Sequence, residues 1–122
     1  MKHILTSALL VIMAMSINNV SAQILQKANK EYELYAFNLA IKSYRSVLQS
    51  EPTNVEALSN MASCYFHLNE IDEAVQWYKK AVLLKGVKPQ TIFNLGLALM
   101  NQSNYKEAKK WFLVYARALR AR

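Results

Sequence analysis

Three alanines, Ala40, Ala74 and Ala108, recur at a spacing of 34 residues, and their neighbours recur with them. Three residues before each stands Phe37, Ile71 or Tyr105, and four residues after each stands Tyr44, Tyr78 or Phe112. Twelve residues before each stands a small residue, Ala28, Ala62 or Gly96. A period this long, held at four positions through three units, confines the chain to a repeat architecture. Each unit is then one supersecondary element that buries its apolar face only by stacking on its neighbours. Arrays of this kind present extended binding surfaces and are scaffolds more often than catalysts.

The spacing predicts an antiparallel helix pair per unit. A small residue is required where two helix axes approach closely, because a larger side chain would overpack by roughly 1–3 kcal/mol. An aromatic one turn after each repeated alanine fills the space beside that contact. The expected helices run over 24–34 and 37–50, 54–68 and 71–85, and 89–101 and 105–120. Between units, Glu51-Pro52-Thr53-Asn54 supplies a helix N-cap at Thr53 or Asn54. Lys85-Gly86-Val87-Lys88-Pro89 supplies Gly86 as a C-cap and Pro89 at a first helical position. Within units, Asn69-Glu70 and Ser103-Asn104 mark tight turns.

These residues resemble tetratricopeptide repeats, and the resemblance covers the whole chain after residue 22. The second unit carries Leu58, Met61, Ala62, Tyr65, Ala74, Tyr78 and Ala81 at the family's positions, and the third carries Ile92, Leu95, Gly96, Leu99, Ala108 and Phe112, with Tyr115 where the family has a second alanine. The first carries Ile24, Ala28, Ala40, Tyr44 and Pro52, but Lys27 and Glu31 stand where apolar residues are expected. The resemblance implies an all-α, right-handed α-α superhelix, a solenoid of three helix-turn-helix repeats at about 21–54, 55–88 and 89–122.

Residues 1–22 are of another kind. Lys2 and His3 precede the apolar stretch Ile4 to Met15, and Val20-Ser21-Ala22 places small residues where a signal peptidase reads, so a signal peptide cleaved between Ala22 and Gln23 is expected. That stretch is shorter than the about 20 residues a bilayer crossing takes. The mature domain, 23–122, is therefore expected to be periplasmic or secreted, with no transmembrane segment. The only cysteine is Cys64, so neither a lipid anchor at the cut nor an internal disulfide is expected. Together with the leader, the segments Ala28-Asn29-Lys30 to Tyr44, Ala62-Ser63-Cys64-Tyr65, Trp77 to Ala81 and Ala108 to Phe112 resemble the N-terminal repeats of Bacteroidetes periplasmic proteins. There the repeats precede a β-propeller and a peptidoglycan-binding domain like that of outer membrane protein A, and some members are implicated in gliding motility and type IX secretion. Neither of those domains is present in this sequence.

The formal net charge is +7, and Lys106, Lys109, Lys110, Arg117, Arg120 and Arg122 gather on the last helix against Glu107 alone. Such a cluster can attract an acidic partner or surface, but it is read first as a solvated outer face whose cations favour a helix C-terminus; export argues against a nucleic-acid partner. Trp111, Phe112, Val114 and Tyr115 crowd the same helix with no capping helix after it, leaving a face open to a partner or to self-association. Cys64 and His67 lie three apart on one helix, a spacing that brings them to neighbouring positions. No third group is placed to orient the histidine and no second ligand pair exists, so the expectation is a buried thiol beside a partly exposed histidine, with no metal site and no enzyme activity. With Gly86 and Gly96 the only glycines, no phosphate-cradling loop can be built, and no cofactor is expected.

The family resemblance implies a concave surface lined by the first helix of each unit. The residues it points there include Asn29 and Tyr32; Asn60, Ser63, Phe66 and His67; and Phe93, Asn94 and Leu97. Asn29, Asn60 and Asn94 would offer amides to an extended peptide, since a carboxamide donates and accepts at once. Tyr32, Phe66 and Phe93 would form apolar pockets between them. Relatives that bind chaperone tails hold a terminal carboxylate with cations; Leu25, Gln90 and Asn94 stand at those places, so no chaperone-tail receptor is expected. The reading is a non-catalytic protein- or peptide-binding scaffold or adaptor of the bacterial cell envelope. The alternative is a structural N-terminal module of a larger envelope protein, peptidoglycan-associated or related to secretion or gliding.

Overall fold

A computed structural model of the chain describes residues 2–121 as six helices: α1 Lys2–Glu33, α2 Phe37–Ser50, α3 Val55–His67, α4 Ile71–Val82, α5 Pro89–Asn101 and α6 Tyr105–Arg120. No strand occurs among the described residues. Helices pack within pairs, α1 on α2, α3 on α4 and α5 on α6. Each pair meets the next through α2 on α3 and α4 on α5, while α1 touches α3 and α3 touches α5. That pattern, each element meeting only its near neighbours, is a solenoid.

The repeat period is written into the backbone. Tyr35, Asn69 and Ser103, each 34 residues from the next, are left-handed, with φ of 60°, 61° and 61°. Each closes a Schellman motif. The amides of Tyr35 and Ala36 donate to Tyr32 and Glu31, those of Asn69 and Glu70 to Phe66 and Tyr65, and those of Ser103 and Asn104 to Met100 and Leu99. Between repeats, the Asn54 side chain accepts from the amide of Ala57 at 3.0 Å and caps α3, Pro89 opens α5, and Gly86 turns with φ 83°. α4 ends at Val82, three residues before its expected end.

The core contains the small residues the period singles out and two of its three aromatics one turn later, while Phe112 is half-buried and Tyr105 exposed. Ala28, Ala40, Tyr44, Ala62, Ala74, Tyr78 and Ala108 are buried, with Met61, Cys64, Leu95 and Leu99 between them. Two of the buried tyrosines, Tyr44 and Tyr78, are anchored to the first helix of their own repeat by their hydroxyls. Tyr44 donates to Asn29 Oδ1 at 2.7 Å, and Tyr78 shares a 2.8 Å hydrogen bond with Ser63. The polar departures in the first unit pair up: Glu31 accepts from the Ser43 hydroxyl at 2.9 Å and lies 3.8 Å from Lys27.

One element differs from expectation. The helix predicted over 24–34 is the last third of α1, a single helix of 32 residues that continues through the leader. Residues 2–33 contain no glycine or proline, and Ala, Leu and Met favour helix, so nothing breaks it. Only Ser21 and Ala28 of this helix are buried, and the side chains from Ile4 to Val20 are exposed. It is long and apolar enough to cross a membrane, a property it shares with signal sequences near an N-terminus.

Candidate functional site

The concave side is built by the ends of α1, α3 and α5. Tyr32, Ser63, Phe66, His67, Asn94 and Leu97, together with Tyr78 from α4, line a cleft of about 140 Å³ that spans all three repeats. The Schellman turns set its rim, because each fixes where a first helix stops and hence where residues 32, 66 and 67 stand.

Five of the eight expected site residues, Tyr32, Ser63, Phe66, His67 and Asn94, come together in this cleft. Ser63 is buried and its hydroxyl is taken by Tyr78. His67 is exposed and stacks flat on Phe37, with ring centres 4.6 Å apart and planes 5° apart, and Tyr32 meets the same Phe37 edge-on at 5.7 Å. Asn94 accepts from Gln90 at 3.0 Å.

The other three are placed differently. Asn29 is engaged at both ends of its amide, accepting from Tyr44 at 2.7 Å and from Asn60 at 3.2 Å while donating to Glu56 at 2.9 Å. Asn60 donates one of its two N–H groups to Asn29. Phe93 packs on Phe112 and Tyr115, with ring centres 5.5 Å and 5.1 Å away, and does not line the cleft. The expected ladder of three free amides is thus a hydrogen-bonded pair plus Asn94. Tyr78 joins the site although the sequence assigns it to packing; the available sign was a tyrosine, rather than phenylalanine, at a buried repeat position.

The cleft is lined by no carboxylate. No lysine or arginine lines it. Burial raises the Tyr32 hydroxyl above its ordinary value, with the Ser63 hydroxyl opposing, and burial pushes Tyr78 up to about 12 against the same hydrogen bond. Cys64 lies in the core, where burial pushes its thiol up to about 12, while His67 faces outward on Phe37. The two are not a nucleophile and its base, because such a thiol keeps its proton at neutral pH. The described residues contain no group of three His, Cys, Asp or Glu placed to hold a metal.

Three stacked helix hairpins with a side-chain-lined concave cleft define a solenoid scaffold for protein binding. Family models described as tetratricopeptide repeat match residues 31–86 and 89–113, together more than half of the chain, which is therefore a tetratricopeptide repeat protein. A curated relative, tetratricopeptide repeat protein 8 of Caenorhabditis elegans, is 26% identical over 73 residues, which are 60% of this chain and 14% of that protein. Among solved structures, the second tetratricopeptide repeat domain of Spaghetti (RPAP3) bound to the HSP90 peptide SRMEEVD is 20% identical with a TM-score of 0.78, over 85% of this chain and 96% of that one. MamA 41-end from Desulfovibrio magneticus RS-1 is 17% identical with a TM-score of 0.75, over 81% and 56%. The Sgt2 domain from Aspergillus fumigatus is 24% identical with a TM-score of 0.74, over 80% and 65%. At these identities what is shared is the fold. Scaffolds of this family are generally non-catalytic.

Proposed function

We propose that the concave cleft receives an extended segment of a protein partner, seating one uncharged apolar side chain between Tyr32, Phe66 and Leu97 while Asn94 hydrogen-bonds the passing backbone. The observation that carries this is the convergence of three repeats on a cleft of about 140 Å³ that no lysine, arginine or carboxylate lines, room for a single Leu, Met or Phe side chain. Cations that would hold an acidic tail are missing from the lining, so SRMEEVD, the ligand of one structural neighbour, is not the kind of segment this cleft selects.

In this reading the adaptor works in a bacterial envelope, exported by residues 1–22 and cut between Ala22 and Gln23. The support is the basic start at Lys2 and the exposed apolar run from Ile4 to Val20, which makes little packing with the repeats. A second reading, a structural N-terminal module of a larger peptidoglycan-associated or secretion-related protein, is favoured by the apolar side chains left exposed on the α5–α6 end.

The test is selection from a random peptide library on the immobilised full chain, followed by fluorescence titration of the enriched peptides. Enriched peptides should share one apolar anchor and lack acidic termini, and Phe66→Ala should weaken them about tenfold or more. Equal binding by Phe66→Ala, or preference for SRMEEVD, would count against the cleft as described.

A further inference from the structure

We infer that the end of the solenoid formed by α5 and α6 is a second docking surface, independent of the cleft, for an amphipathic helix with acidic flanks supplied by another protein. In the first two repeats the equivalent face is covered by the next helix. Ile41 and Tyr44 are buried as α2 packs on α3, and Val75 and Tyr78 as α4 packs on α5. In the third repeat those places are Lys109, which is exposed, and Phe112, which is half-buried. Around them Tyr105 is 64% exposed, Leu113 51% and Met100 44%, and together they border a groove of about 320 Å³. A helix carrying apolar residues three and four apart fits such a groove as a following first helix would.

Charge selects the occupant. Lys109 replaces an aliphatic residue within the seam itself, so whatever covers this face must present a carboxylate there or bury an unpaired ammonium. Lys106, Arg117 and Arg120 extend the requirement along the exposed stripe of α6, because with 3.6 residues per turn they share one side with Leu113. The one acid of α6, Glu107, is 2.9 Å from Lys79, and α5 has none. Two copies joined through this face would oppose these cations to one another. The apolar helix of a second copy is no better suited: its exposed apolar run, residues 4–20, carries no carboxylate, and of the two acids that close that helix after Lys27 and Lys30, Glu31 is already bonded to Ser43 and lies 3.8 Å from Lys27. A partner helix with acidic flanks satisfies both the groove and the charges.

Fluorescence anisotropy on the full chain tests this with three labelled 18-residue helices: Leu-faced with Glu flanks, Leu-faced with Lys flanks, and Ser-faced with Glu flanks. The first alone should bind. Lys109→Glu with Arg120→Glu, both at exposed positions, should weaken it about tenfold and admit the Lys-flanked helix, while Phe66→Ala in the cleft leaves it unchanged. The inference is overturned by equal binding of the Glu- and Lys-flanked helices, by loss of binding in Phe66→Ala, or by indifference to the charge reversal. A dimer in sedimentation that the reversal abolishes, or binding to phosphatidylglycerol vesicles that the reversal abolishes, would equally replace the partner helix with a second copy or a lipid surface.

Discussion

Gly96→Ala separates backbone propensity from packing at the closest approach in the third repeat. The same position holds Ala28 and Ala62 in the first two, where the facing rings of Tyr44 and Tyr78 are held off by hydroxyl bonds to Asn29 and Ser63. In the third the facing ring is Phe112, which has no hydroxyl, and the residue after Gly96 is Leu97, which has no polar atom to hold one. The ring lies over the glycine, so a Cβ there would stand 2.8 Å from Phe112 Cδ1 and Cζ and in contact with Cε1. Carbon atoms rest about 3.5–4.0 Å apart. Either the ring stays and the site is overpacked by about 1–3 kcal/mol, or it swings out and gives up its contact with Phe93, about 0.5–1.5 kcal/mol, plus part of its burial. Alanine in a helix interior gains about 0.8–1.0 kcal/mol over glycine. The net expectation is a loss of about 1 kcal/mol, a fall of roughly 4–8 °C in melting temperature by circular dichroism. In a Phe112→Ala background the same substitution should stabilise by about 1 kcal/mol, a coupling of about 2 kcal/mol between the two positions. A stabilised Gly96→Ala single variant would refute the ring placement.

Three further outcomes follow from particular atoms. Replacing Ser103, left-handed at φ 61°, by glycine should stabilise by about 1 kcal/mol in urea melts, and Tyr35→Gly by less, because the Tyr35 ring also contacts Phe37 with centres 5.9 Å apart; a loss at Ser103 would contradict the turn. Asn29→Ala strips the buried Tyr44 hydroxyl of its acceptor and should cost about 1–3 kcal/mol, most of it recovered when Tyr44→Phe is added; an unrecovered loss would mean the asparagine acts otherwise. Cys64 and Tyr78 ordinarily titrate at 9.0 and 10.0 and are both raised to about 12, so the folded chain keeps protons the unfolded chain has released. Stability is then whole below pH 9 and falls as pH climbs toward 12, by up to about 1.4 kcal/mol per pH unit for each group. Equilibrium unfolding between pH 8 and 12 should show a shallower decline in Tyr78→Phe, and an identical decline would remove Tyr78 from the account.

The repeat was legible because packing is periodic. A small residue facing an aromatic every 34 residues can be read directly, and five of the six helices lie within a few residues of where that reading puts them. α1 was legible only as two pieces, since a leader and a first repeat helix differ in exposure rather than in helix propensity, and nothing in residues 2–33 stops the helix between them. The left-handed turn was readable at Asn69, whose side chain tolerates that conformation, and hidden at Tyr35, where tertiary closure of the hairpin overrides preference.

Site residues obey a different logic. The family resemblance puts Asn29, Asn60, Phe93 and Asn94 on the concave side, but a repeat position does not say which side chain satisfies which. Asn29 and Asn60 lie within reach of each other only once the repeats stack, and stacking ties the Asn29 oxygen to both Tyr44 and Asn60. Phe93 is drawn from the groove because Tyr115 stands where Val47 and Ala81 stand in the earlier repeats, and a ring needs a partner that a small residue does not. The same departures divide the molecule by charge. Five lysines and arginines cluster on α6 while none lines the cleft, so a partner drawn to the basic end is not thereby drawn into the cleft. Two surfaces of such different chemistry can be engaged at once, and raising the ionic strength should release an acidic helix from α6 while leaving an apolar anchor in the cleft.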